Sequence, residues 1–300
     1  MRLDDFDPNI QVGDQRGQER GPAGFGGGGM LLGLLPMVFS RFGCGGVAVV
    51  LALMFFMGGG LPLLSGGGDG ALPAGMSQQS AGTNATASCT VDSASRAACN
   101  AFSSADRTWA QIFQRAGQRY QSPSLQFFGG EGQSGCGAAQ SAAGPFYCQA
   151  DSGIYLDTSF FHELAQRFGA RGDFAQDYVI AHEFGHHIQN LLGTSAQVQQ
   201  QQARSSRAQG NALSVRLELQ ADCYAGVWGA ANHDRLEPGD VEEGLTAARA
   251  IGDDTLQREA QGRVVPDSFT HGSSAERMKW LKKGLDSGDP GQCDTFSGAI

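Results

Sequence analysis

The chain has 300 residues, 45 of them glycine, with 41% hydrophobic residues and a formal net charge of −9. Gripping a phosphate backbone needs a surplus of Lys and Arg, so the acidic balance argues against a nucleic-acid partner. The hydrophobic share suffices for a sizeable core, and the glycines crowded into the first third favour one folded domain with a long appendage.

In chain order, residues 1–41 read as a disordered, glycine-rich tail, polar at first and containing Gly26-Gly27-Gly28-Gly29. The apolar run Met30–Phe39 is too short to cross a bilayer. Residues 42–64 carry no charged side chain and no polar face. Their length exceeds the roughly 20 residues a spanning helix needs, so they are expected to form a transmembrane helix. Arg2, Arg16, Arg20 and Arg41 precede this run, and no Lys or Arg follows it until Arg96. Such asymmetry predicts a single-pass inner or plasma membrane protein with a cytoplasmic N-terminus and a periplasmic or extracellular domain. Residues 65–88, rich in Gly, Ser, Ala, Gln and Thr, read as a flexible linker.

Residues 89–300 form the expected folded domain, α+β and predominantly helical with a small β-sheet. Its six cysteines (Cys89, Cys99, Cys136, Cys148, Cys223 and Cys293) match no zinc ribbon or C-x-x-C motif. Six thiols in an oxidising compartment can form three bridges, with the pairing left open. Helices are expected at 99–117, 160–168, 174–192, 213–231, 241–251 and 275–285. Tyr147 to Asp157 reads as extended, because Ile154-Tyr155-Leu156 is bulky and β-favouring. The glutamine tract at 197–202 reads either as a helical insertion or as a loop.

The stretch His182-Glu183-Phe184-Gly185-His186 lies within a well-signalled helix. Asp173 with Gln176 has capping-box spacing, Gly193 suits the exit, and Phe174, Tyr178, Ala181, Ile188 and Leu192 recur at helical spacing. Two histidines four apart project their imidazoles from one side, about one turn apart, and can share a zinc ion. Glu183 lies beside them, within reach of an activated water. Catalytic zinc usually has three protein ligands. Downstream, Glu218 and Asp222 are again four apart, among Leu217, Leu219, Ala221, Tyr224, Val227 and Trp228. In that setting Glu218 is the expected third ligand, and Asp222 the acceptor that orients a ligand imidazole.

These residues carry a resemblance. E-x-x-A-D after H-E-x-x-H is similar to the gluzincin arrangement of HtpX-type membrane proteases. The segment from about Cys136 to Gly284 resembles the neutral zinc metallopeptidase family of bacterial YpfJ-like proteins. Its matching stretches include Gly144-Pro145-Phe146-Tyr147-Cys148, His182-Glu183-Phe184-Gly185-His186-His187-Ile188-Gln189, Glu218-Leu219-Gln220-Ala221-Asp222-Cys223-Tyr224-Ala225-Gly226 and Phe269-Thr270-His271-Gly272-Ser273-Ser274. The resemblance implies a Zn2+ cofactor and a peptide or protein substrate. For His271, followed by Arg277, it implies a donor to the oxyanion of the tetrahedral intermediate. Arg277 itself either braces that region or is solvated. His187 is expected to pack or face solvent away from the metal side. The expected reaction is peptide-bond hydrolysis with His182, His186 and Glu218 on zinc and Glu183 as general base. The competing reading is a membrane-tethered binding or scaffold protein with a structural zinc.

Overall fold

A computed structural model of the chain describes residues 1–17 and 85–298. Strand β1 (Gln11–Asp14) is followed by helices α1 (Ala85–Cys89) and α2 (Ser93–Arg115). Next come strand β2 (Ser124–Phe127), the hairpin β3 (Glu131–Ser134) and β4 (Gly137–Gln140), and the strands β5 (Phe146–Cys148) and β6 (Gly153–Leu156). The helices α3 (Ser159–Gln166), α4 (Asp173–Leu191), α5 (Thr194–Gln202), α6 (Arg207–Ala231), α7 (Asp240–Ala250), α8 (Asp253–Gln261) and α9 (Ser274–Ser287) complete the domain.

The fold centres on α4, which packs against α2, α6 and α7 and is buried on almost every face. Phe102 of α2 meets Phe184 edge-on at 4.9 Å, and Phe174 stacks on Trp228 of α6 at 6.1 Å. A helix enclosed on all sides gains its stability from packing, so its apolar pattern is only weakly one-sided. Its ends are set locally. Gly172 enters it at φ 114° and Gly193 leaves it at φ 77°, backbone angles that favour glycine. Asp173 is the first helical residue rather than the expected cap, and its carboxylate takes the Met1 ammonium at 2.5 Å. Helices α6 and α9 each begin with a capping box, Ser206 with Gln209 and Ser273 with Glu276.

The four-stranded sheet has the order β1-β2-β6-β5, with β1, β2 and β6 parallel and β5 antiparallel at one edge. The expected single extended stretch at 147–157 is instead a hairpin. Asp151 accepts the Gly153 amide, and Ser152 sits at φ 54° in the connection. All four residues of β6 are buried. Leu156, Ile154 and Leu125 join the main core, while Tyr155 and Phe146 stack at 5.0 Å in a second cluster with Phe128 and Ala139. Disulfides join Cys89 to Cys99, Cys136 to Cys148 and Cys223 to Cys293. The second pins the β3–β4 region to edge strand β5.

Two expectations are corrected. Residues 1–17 are not a free tail. Met1 is buried, its ammonium pairs with Asp173 and Asp240, and β1 pairs with β2 residue by residue from Gln11↔Ser124 to Asp14↔Phe127. A mostly helical domain with a small sheet is present, but no described helix matches the transmembrane helix added to that fold class. Among the described residues no helix is long and apolar enough to cross a membrane, and residues 42–64 lie outside the described residues. The single-pass localisation falls with it on physical grounds. One span at 42–64 would separate residues 1–17 from 85–298 across a bilayer, yet both contribute strands to one sheet. The rest of the expected linker, up to residue 84, is also outside the described residues; 85–88 begin α1.

Candidate metal centre

Helices α4 and α6 cross where Gly185 meets Ala221. A Cβ at residue 185 would lie 2.8 Å from the Ala221 Cα and carbonyl oxygen. This close approach sets the reach from α6 to α4, and Glu218 lies one turn before Ala221. Gly185→Ala is expected to cost about 1–3 kcal/mol through overpacking, read as a lower midpoint in urea unfolding of the zinc-free chain.

At that crossing the donor atoms of His182, His186 and Glu218 converge within 4.8 Å of one another, a spacing that could hold a metal ion. Glu218 reaches His182 Nε2 through Oε2 at 3.2 Å and His186 Nε2 through Oε1 at 3.4 Å. The other nitrogen of each ring is engaged elsewhere. His182 Nδ1 lies 2.8 Å from Asp222 Oδ1. His186 Nδ1 lies 2.9 Å from Gln189 Oε1. Gln189 has its orientation fixed, because its Nε2 donates to the Leu217 carbonyl at 2.6 Å and to Gln220 Oε1 at 3.1 Å. Its oxygen must therefore face His186, so Nδ1 carries the hydrogen. A carboxylate beside His182 imposes the same tautomer there. Both Nε2 atoms then face the Glu218 carboxylate, and the two imidazoles and this carboxylate make a donor set suited to zinc.

The electrostatics agree with that fit. Burial opposes charge on Glu218, but His186 and His182 outweigh it and hold its carboxyl well below the ordinary range. Burial likewise disfavours a charged His182, yet Asp222 and Glu218 outweigh it and push its pKa up to about 10. The pocket is built to stabilise positive charge at these nitrogens.

Behind the histidines lies a buried network. Asp222, fully buried, accepts from Arg277 Nε at 2.9 Å, Arg277 Nη2 at 2.9 Å and Tyr178 Oη at 2.6 Å. Arg277 also donates to the Ile251 carbonyl at 3.3 Å and is 2% exposed, so it braces the site and is not solvated. Glu183 lines a cleft of about 560 Å³ together with His182, His186, Glu218 and His271. Its far walls include Phe146 and Tyr147 of β5 and Phe160 of α3. His271 is half-exposed at the cleft, with Nδ1 3.3 Å from Asp253. His187 points away from the metal donors; it is buried, with Nε2 2.7 Å from the Gln121 carbonyl and Nδ1 3.1 Å from the Tyr147 hydroxyl.

Residues 1–296 match the model of the family described as "Putative neutral zinc metallopeptidase". The chain belongs to this family. Zinc is thus its cofactor, peptidase its class of activity, and peptides or proteins its class of substrate. Among relatives, Escherichia coli (strain K12) YpfJ is 56% identical over 195 residues, covering 64% of this chain and 68% of that protein. Mycobacterium bovis Mb2605 and Mycobacterium tuberculosis (strain H37Rv) Rv2575 are each 45% identical over 210 residues, covering 65% of this chain and 68% of theirs. No solved structure matches the chain.

Sequence reasoning missed Gln189, Gln220 and Asp253, and it left Arg277 undecided. Gln189 had a usable signal, since it follows His186 by three positions on the same helix and so lies on the same face. Asp253 had none, because the helix it opens was not anticipated.

Proposed function

We propose that the chain hydrolyses peptide bonds with zinc held by His182, His186 and Glu218 and with Glu183 as general base. The observation that carries this reading is the convergence of three donors, with both Nδ1 atoms hydrogen-bonded elsewhere and both Nε2 atoms turned towards Glu218. Bound there, zinc supplies a Lewis acid that polarises the scissile carbonyl and acidifies water. Glu183 takes the proton of the attacking water and returns it to the leaving amine. Asp222, held ionised by Arg277, keeps the His182 ring oriented, and Gln189 does so for His186. His271 donates to the oxyanion of the tetrahedral intermediate. A substrate peptide runs along β5, the sheet edge that walls the cleft, and is gripped mainly by backbone hydrogen bonds.

The competing structural-zinc reading needs a fourth protein donor. Among the described residues the donor cluster stops at three, and all three line the open cleft. Catalytic use is therefore favoured over a scaffold.

Metal analysis combined with peptide-library cleavage tests the proposal. A chelator should abolish cleavage and Zn2+ should restore it. Glu218→Ala should weaken zinc affinity by more than the roughly 10–100-fold that loss of an outer partner costs. Cleavage that persists in the metal-free chain, or wild-type zinc affinity in Glu218→Ala, would sink the assignment.

A further inference from the structure

Helix α8 opens beneath the loop that carries His271, and its first residue, Asp253, is directed at that loop. Asp253 Oδ2 accepts the backbone amides of Thr270 at 2.7 Å, His271 at 2.7 Å and Gly272 at 3.1 Å. Its other oxygen, Oδ1, faces His271 Nδ1 at 3.3 Å, and Thr270 Oγ1 lies 3.1 Å from the same nitrogen. Asp253 is itself mostly buried, whereas the His271 ring is half-exposed at the cleft. One carboxylate thus fixes both the backbone that carries the imidazole and one of its two nitrogens.

We propose that Asp253 is a positioning residue for His271, anchoring its loop and its Nδ1 so that Nε2–H is presented to the oxyanion of the substrate. The proposal rests on the reading of His271 given above. Its chemistry follows from the tautomers. When Nδ1 carries the hydrogen that Asp253 accepts, Nε2 can donate only while the ring is an imidazolium. A carboxylate partner favours that form. Three charged groups act electrostatically on the ring: Asp253 from α8, Glu218 from α6 and Arg277 from α9. The hydrogen bond to Asp253 is the largest influence and raises the His271 pKa above its ordinary 6.5, against burial. Because the shift is upward, the charged donor persists below the raised pKa and is lost as pH rises through it.

The test uses the zinc-loaded full chain with three variants and a cleavable peptide. His271→Ala should lower kcat/KM by about 10²–10³, as loss of one oxyanion donor does. Asp253→Asn keeps an oxygen for the backbone amides but removes the charge. It should lower kcat about tenfold with KM little changed, and move the alkaline limb of the pH profile to lower pH. Asp253→Glu, which restores the charge, should recover part of the loss. A direct NMR titration of the His271 ring in the wild-type and Asp253→Asn chains gives a readout independent of turnover. If His271→Ala retains full activity, the reading of His271 itself fails. If His271→Ala loses activity while Asp253→Asn keeps the wild-type kcat, alkaline limb and ring titration, Asp253 has no positioning role. Should Asp253→Asn fold poorly, the wild-type titration decides: a His271 pKa at or below 6.5 overturns the proposal.

Discussion

Glu183→Gln is expected to keep zinc at the wild-type stoichiometry while kcat/KM falls by about 10²–10⁴, the contribution of a positioned general base. The substitution is nearly isosteric and leaves His182, His186 and Glu218 untouched, so the donors that converge within 4.8 Å remain in place. What it removes is the ability to accept a proton. Glu183 follows His182 directly on α4 and lines the cleft onto which the donors open, the placement that the proposed base requires. Metal analysis beside peptide cleavage separates the two roles. Loss of zinc in Glu183→Gln would reassign the residue to the metal shell, and retained turnover in a zinc-replete preparation would remove it from the chemistry altogether. The contrast with Glu218→Ala, expected to lose metal first, makes the pair of variants diagnostic.

The second large effect is on stability. Arg277→Met should destabilise the zinc-free domain by about 3–5 kcal/mol, because it strips the fully buried Asp222 carboxylate of the guanidinium that donates two of its hydrogen bonds. Asp222 is fully buried and Arg277 nearly so, with two hydrogen bonds of 2.9 Å between them, which distinguishes this pair from exposed ones such as Lys282 with Asp286. The cost should not be symmetric. Arg277→Met combined with Asp222→Leu removes both charges, and it should recover much of the stability lost in the single variant. It should also bind zinc poorly, since His182 then loses the acceptor that sets its tautomer. Urea unfolding of the three chains without metal measures the first effect, and zinc titration the second. An Arg277→Met chain as stable as wild type would show that the pair contributes nothing net.

The candidate site was legible in the sequence to the extent that it is local. His182, Glu183 and His186 are one turn of one helix, and a four-residue spacing determines their shared face whatever surrounds them. Glu218 and Asp222 were accessible for a similar reason: an apolar neighbourhood makes charged residues on a helix conspicuous. The helices themselves were readable near their caps and glycines, although Asp173 proved to be a first-turn residue tied to the Met1 ammonium. Strand β1, the β3–β4 hairpin and helix α8 left little trace. β1 is only four residues long, the hairpin is small and polar, and α8 has few apolar residues, so their identities depend on what they pair with.

The sequence by itself determined a helical pair of histidines with a glutamate between them, two further carboxylates one turn apart, and six cysteines from Cys89 onward. Those are matters of spacing, which survives without knowledge of the fold. Only the tertiary structure decided that Glu218 meets both Nε2 atoms, that Gln189 and Asp222 hold the opposite nitrogens, and that Arg277 lies buried against Asp222. Only it decided how the cysteines pair and that the N-terminal residues join the domain's own sheet, which removed the predicted single-span arrangement. Each of these is a contact between distant segments, set by how closely helices cross and which strand edges remain unpaired, and neither quantity is written in local periodicity.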